Sequence, residues 1–240
     1  KLLSVFLLFM TILRGLSSQI TYSGVTPDSI STSGGTRISI YSDGIANNFT
    51  NVSLSLKVGE TLCNNTVWVS RSAINCLVAD GVGRSLAIQG FQATSVNISG
   101  GITISYAQPE VVSVKPTNRP SSGVAALSLA GSNYGTTSFC PRVRVGGTAC
   151  DSEEWVSDSS VLCKASAGIG PARFAAVSVG HQWGTLSTAV SFDAGSVSSV
   201  VRDNLATTGS VEITTLGSHY GTVNSTTSFC PRVRVGGTAC

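Results

Sequence analysis

Apolar and polar residues alternate along this chain in short runs, with no helical period outside the N-terminus. Val111–Val114 is a first alternating run, stopped by Pro116. Ala126–Ala130 (ALSLA) is a second, ended by the turn-rich GSNYG of Gly131–Gly135. Arg142–Val145 (RVRV) leads through Gly146-Gly147 into Thr148–Cys150, and the two glycines can both take positive φ. This is the signature of a hairpin with a two-residue primed turn. Val161–Ala165, Phe174–Val179 and Ala189–Phe192 complete the set. A period of two in runs of four to six residues, bounded by Gly, Pro, Asn and Ser, predicts β-strands. Six or seven such strands in about 87 residues predict a β-sandwich of immunoglobulin-like size.

The pattern recurs. Ser138–Cys150 (SFCPRVRVGGTAC) is repeated letter for letter as Ser228–Cys240. Cys63, Trp68 and Cys76 match Cys150, Trp155 and Cys163 at a shift of 87, and Val25-Thr26-Pro27 matches Val114-Lys115-Pro116 at a shift of 89. A period near 90 is too long for a helical or leucine-rich solenoid and suits a string of small domains. The expected organisation is a leader over 1–18, a divergent first copy over 19–107, a second over 108–194, and a third over 195–240 that is cut short at Cys240.

The leader is the one long apolar run. Lys1 supplies positive charge, Leu2–Leu13 is apolar, and Gly15, Ser17 and Ser18 suit a cleavage site near Ser18. Twelve residues give roughly 18 Å of helix, short of a bilayer's ~30 Å core. No other stretch reads as a membrane span. With no initiator Met, the sequence reads as a fragment at this end too. Formal charge is +3, and without Lys1 and Arg14 the chain keeps 13 basic and 12 acidic side chains. That balance argues against a nucleic-acid partner. Five N-x-S/T sequons, at Asn48, Asn51, Asn64, Asn97 and Asn224, agree with a secretory route.

The V-x-P start, the GSNYG turn, RVGGTAC, a Trp and then S-x-x-x-x-C resemble the IPT/TIG domain. This is an immunoglobulin-like fold of plexins, transcription factors and cell-surface proteins. The resemblance covers nearly everything after the leader. The first copy departs from it, with Tyr41-Ser-Asp-Gly44 in place of GSNYG and Glu60 in place of Gly147. The resemblance implies an all-β chain of tandem sandwiches of the E-set type.

Seven cysteines with no CxxC, and two histidines far from any cysteine pair, read as oxidised rather than metal-bound. In the hairpin, Val143 faces Cys150. Cys140 then lies about 10 Å along the strand on the opposite face, too far for a Cys140–Cys150 bond. Cys150 is therefore expected to pair with Cys163, and Cys63 with Cys76. Cys240 would want a partner thirteen residues on. Cys140 and Cys230 are open: free buried thiols, bonded to each other, or bonded to another chain. Trp68 and Trp155 are expected to pack on the disulfides.

No catalytic, cofactor or metal residues are expected. His181 and His219 do not recur at equivalent positions, and His219 replaces Asn133 in what reads as a tolerant loop position. Glu153-Glu154 read as a solvated loop, and Arg142 and Arg144 as one exposed face of a strand. Binding is expected at loops where the copies differ, among them Tyr41–Asn51, Asp80–Gly83 against Gly168–Pro171, and Val223–Thr226. The function expected is a non-catalytic, secreted or surface-exposed binding, adhesion or spacer array for a protein or glycan ligand. The alternatives are the stalk of a larger receptor or surface enzyme and, below that, a nucleic-acid-binding domain.

Overall fold

The computed structural model describes residues 22–42, 54–92, 98–123, 125–202, 204–221 and 232–239. The chain divides into two compact units, Lys1–Gln108 and Pro109–Cys240.

In the first unit the strands are β1 (Tyr22–Thr26), β2 (Ser29–Ile30), β3 (Arg37–Ser42), β4 (Leu54–Val58), β5 (Thr61–Leu62), β6 (Asn65–Ser70), β7 (Ala73–Leu77), β8 (Leu86–Gln92) and β9 (Ile98–Tyr106). They form two sheets, β1-β3-β7-β6 and β2-β9-β8-β4-β5. The second unit repeats the plan with β10 (Glu110–Lys115), β11 (Asn118–Arg119), β12 (Ala126–Ser132), β13 (Arg142–Val145), β14 (Thr148–Ala149), β15 (Ser152–Ser157), β16 (Ser160–Lys164), β17 (Arg173–Val179) and β18 (Gln182–Phe192). Its sheets are β10-β12-β16-β15 and β11-β18-β17-β13-β14, the same orders displaced by nine strands. Even the irregularities correspond. The register slips between Tyr22 and Gly24 and between Val111 and Ser113, and again between Trp68 and Ser70 and between Trp155 and Ser157.

Alternation builds the core. In β3, Ile38 and Ile40 point inward and are fully buried; in β12 Leu127 and Leu129 do the same. Leu56, Ile74, Ile88 and Ile104 fill the first sandwich, and Val143, Val161, Val177 and Val190 the second. Each of these two sandwiches is therefore a pair of mainly antiparallel sheets closed over aliphatic side chains, which is the immunoglobulin-like plan. The parallel contacts are β2 with β9 and β11 with β18, where the chain crosses from one sheet to the other just after a cis X-Pro bond (Thr26-Pro27, Lys115-Pro116).

Each of the first two copies holds nine strands among the described residues, more than the six or seven read from alternation. The additions include the two-residue strands and β15, whose SEEWVS carries no clear period. The third copy contributes β19 (Ser196–Val201), β20 (Thr214–Ser218), β21 (Arg234–Val235) and β22 (Thr238–Ala239). β19 pairs with β20 as β10 does with β12, and β21 with β22 as β13 does with β14. The leader residues lie outside the described part of the chain.

Candidate functional site

The hairpin β13–β14 pairs Val145 with Thr148 and Arg144 with Ala149 around Gly146 (φ 57°) and Gly147 (φ 90°). Both turn positions are left-handed, so glycine carries no steric penalty there. Past the hairpin, the Cys150 N–H donates to the Val143 carbonyl at 3.0 Å. Cys150 then bonds to Cys163 of β16, with 5.9 Å between Cα atoms. Cys63 bonds to Cys76 of β7 in the same way, at 5.8 Å. Each bond staples one sheet to the other, and its inner sulfur is buried with the core. Cys140 is exposed and bonds to no cysteine among the described residues, so it is not the buried thiol that was one of its three expected states. Cys230 and Cys240 lie outside the described residues.

Three expectations at this end of the sandwich are corrected. Neither tryptophan is a core residue. β6 and β15 are the edge strands of their sheets, so an inward side chain there reaches the rim of the sandwich rather than its centre. Trp68 is 47% exposed, and Trp155 is half-buried with its indole N–H donating to the Gly135 carbonyl at 3.2 Å. Glu153 and Glu154 belong to β15, not to a loop. Glu153 Oε1 accepts the free Val143 N–H at 3.3 Å, and Oε2 lies 3.5 Å from Arg142 Nη1. Finally, Asp80–Gly83 is not a freely variable loop. Gly81 and Gly83 are buried, and a side chain on Gly81 would strike the Tyr106 ring.

The histidines have backbone roles that the sequence reading missed. Gly180 (φ 54°) and His181 (φ 64°) form the two-residue turn between β17 and β18. His219 (φ 61°) holds the same left-handed position as Asn133 (φ 62°). The position is conformationally constrained rather than tolerant, and Asn and His are among the residues that enter this region most readily. His219 Nδ1 also sits 3.6 Å from Asp193 Oδ2, while Asp193 Oδ1 accepts a 2.6 Å bond from Asn118 Nδ2. Among the described residues no three His, Cys, Asp or Glu side chains cluster as metal ligands. No helix among them is long and apolar enough to cross a membrane. Of the sequons, Asn64 is exposed, between the Cys63 disulfide and β6; Asn48, Asn51, Asn97 and Asn224 lie outside the described residues.

Among the described residues Arg119 is the one charged side chain in a core, only 1% exposed. Its Nη2 donates to the carbonyls of Ala125 (2.9 Å) and Ala165 (3.3 Å), and the guanidinium lies 5.6 Å from the Phe192 ring centre. Burial lowers its pKa, opposed by the Asp151 carboxylate. The first copy has Ile30 at this place, opposite Tyr106 instead of Phe192. There the Tyr106 hydroxyl donates to the Ala79 carbonyl at 2.9 Å. The two copies thus supply a donor to the carbonyls that follow the second cysteine from opposite sides of one strand pair.

Paired four- and five-stranded sheets with an inter-sheet disulfide define a tandem array of immunoglobulin-like sandwiches. The IPT/TIG domain model matches residues 21–107 and 109–194, and the chain belongs to that family. No curated protein sequence matches it. Among solved structures it is similar to the full extracellular region of plexin A4, at 14% identity and a TM-score of 0.36, covering 75% of this chain and 19% of that one. It is similar also to the surface glycan-binding protein PbSGBP-B of Prevotella bryantii (11% identity, TM-score 0.45, 71% of this chain and 41% of that one). A third is the Yersinia pseudotuberculosis adhesin InvE (11%, TM-score 0.42, 74% and 60%). The chain thus spans less than two thirds of each of these proteins.

Proposed function

We propose that this chain is a non-catalytic extracellular array, secreted or held at the cell surface, in which IPT/TIG sandwiches present or space binding surfaces for a protein or glycan ligand. The observation that carries this reading is the disulfide found at the same place in both units. Structural disulfides persist in oxidising compartments and are rare in the cytosol. The leader, cleaved near Ser18, and a glycan on exposed Asn64 belong to the same proposal. The aliphatic core and its staple are demands of the fold, so recognition falls to the exposed loops and sheet faces.

Expression in a eukaryotic secretory host tests it. The expected product is in the medium, starts near Gln19, loses mass on enzymatic deglycosylation and has Cys63, Cys76, Cys150 and Cys163 oxidised. A product retained in the cytosol with those four thiols reduced overturns the reading.

A further inference from the structure

One sheet face of the second unit sets an open aromatic ring beside two guanidinium groups. Along β18, Gln182 and Gly184 point inward, while Trp183 and Thr185 point outward. Cross-strand pairing lines up Arg142, Ser178 and Trp183 in one row and Arg144, Ala176 and Thr185 in the next. Residues directly opposite share a face, so all six stand on the outer side of the β11-β18-β17-β13-β14 sheet. Trp183 is two strands, about 10 Å, from Arg142, and the arginines are about 7 Å apart along β13. Ser178 and Ala176 make a low floor between ring and cations. Trp183 is 62% exposed, a costly state for so large an apolar ring.

We propose that this face binds an oligosaccharide bearing carboxylate or sulfate groups, with a sugar ring stacked on Trp183 and the acidic groups on Arg142 and Arg144. The C–H face of a pyranose is a flat partner for an isolated indole, and the guanidinium fork matches the oxygen geometry of both anions. A protein partner fits less well, because Ser, Thr and Ala surround the indole and the other exposed ring of this face, Phe174, stands two rows away on β17, so the rings form no continuous apolar centre. The arginines keep donors to spare. Arg142 is 75% exposed with only its Nη1 near Glu153, and Arg144 commits Nη1 to the Gly147 carbonyl at 2.9 Å.

The first copy shows the contrast. On the equivalent face Lys57 Nζ lies 5.1 Å from the Phe91 ring centre, so cation and aromatic satisfy each other. Among the described residues no cation covers Trp183. The third copy repeats the arginine pair as Arg232 and Arg234, and Arg234 Nη1 bonds the Gly237 carbonyl at 3.1 Å.

The site rests on the reading of the chain as an extracellular binding array. The test is titration of the secreted full chain with tetragalacturonate, a sulfated heparin tetrasaccharide and neutral cellotetraose, by calorimetry and tryptophan fluorescence. At least one acidic probe is expected to bind, with cellotetraose at least about tenfold weaker. Trp183→Ala and the double variant Arg142→Gln/Arg144→Gln should each weaken binding at least about tenfold, and the double variant should remove its salt dependence. Trp183→Phe, which keeps a ring, should retain most of the affinity. Which acidic probe binds separates the carboxylate from the sulfate. The site is overturned if a secreted, folded chain binds neither acidic probe at millimolar concentration, binds cellotetraose equally, or is indifferent to both sets of variants; the array reading would survive all three.

Discussion

At the scale of single residues, the buried polar groups distinguish the copies. Arg119→Ile alone should cost about 1–3 kcal/mol, because the Ala125 and Ala165 carbonyls lose a buried donor. Adding Phe192→Tyr rebuilds the pairing of the first copy, Ile30 opposite Tyr106, and should recover much of the loss. Thermal melts of the single and double variants check this. Burial also pushes the phenols of Tyr22 and Tyr134 up to about 12, with Glu110 adding to the effect on Tyr134. The folded pKa lies above the unfolded value of 10.0, so the contribution is intact below pH 10 and is lost as pH rises toward 12. Stability followed by circular dichroism should therefore fall across that window. The Tyr134 hydroxyl has no hydrogen-bond partner among the described residues. Tyr134→Phe should accordingly be nearly neutral at pH 7 and flatten the alkaline loss.

At the scale of elements, the inter-sheet staple and the tyrosine turn hold the sandwich edges. Each disulfide closes a loop of thirteen residues. Cys163→Ser should cost about 2–5 kcal/mol and lower the secreted yield. In the turn after β12, the Tyr134 ring lies over Gly131, and a side chain on Gly131 would strike both that ring and the Glu110 carbonyl. Gly217 and Tyr220 repeat the arrangement in the third copy. Gly131→Ala should destabilise by about 2 kcal/mol or more, because the obstacle is backbone as well as ring. Denaturant titration of the two variants separates loss of the crosslink from overpacking. Gly81, packed on the Tyr106 ring, belongs to the same class, so a side chain there should lower the melting temperature although Asp80–Gly83 is a loop where the copies differ.

At the scale of the molecule, each sandwich has its own aliphatic core and its own staple. Fragments 19–107 and 108–194 expressed separately should each melt cooperatively. A fragment that stays unfolded alone but folds with its neighbour present would show that the units share their stability. The disulfide variant of one unit should then leave the other's transition in place, which calorimetry of the full chain reads directly.

The repeat, the strand-rich composition and the cysteine spacing were legible in the sequence because they depend on local rules. Alternation of period two sets which side chains can share a face, Gly-Gly permits a primed turn, and a hairpin of known register limits which sulfurs can meet. Those rules carried the immunoglobulin-like reading and pointed Cys150 away from Cys140. Position within a sheet is another matter. That β6 and β15 are edge strands follows from which strands pair across tens of residues, and it moved Trp68 and Trp155 from the expected core to the rim. The same long-range pairing made a β-strand of Glu153 and Glu154, turned His181 into a hairpin corner and buried Arg119 where the first copy has Ile30. It also set Trp183, two strands across the sheet and 41 residues along the sequence from Arg142, in the same row of one face. Side-chain chemistry was readable one residue at a time; the face on which several residues meet exists only once the sheet has closed.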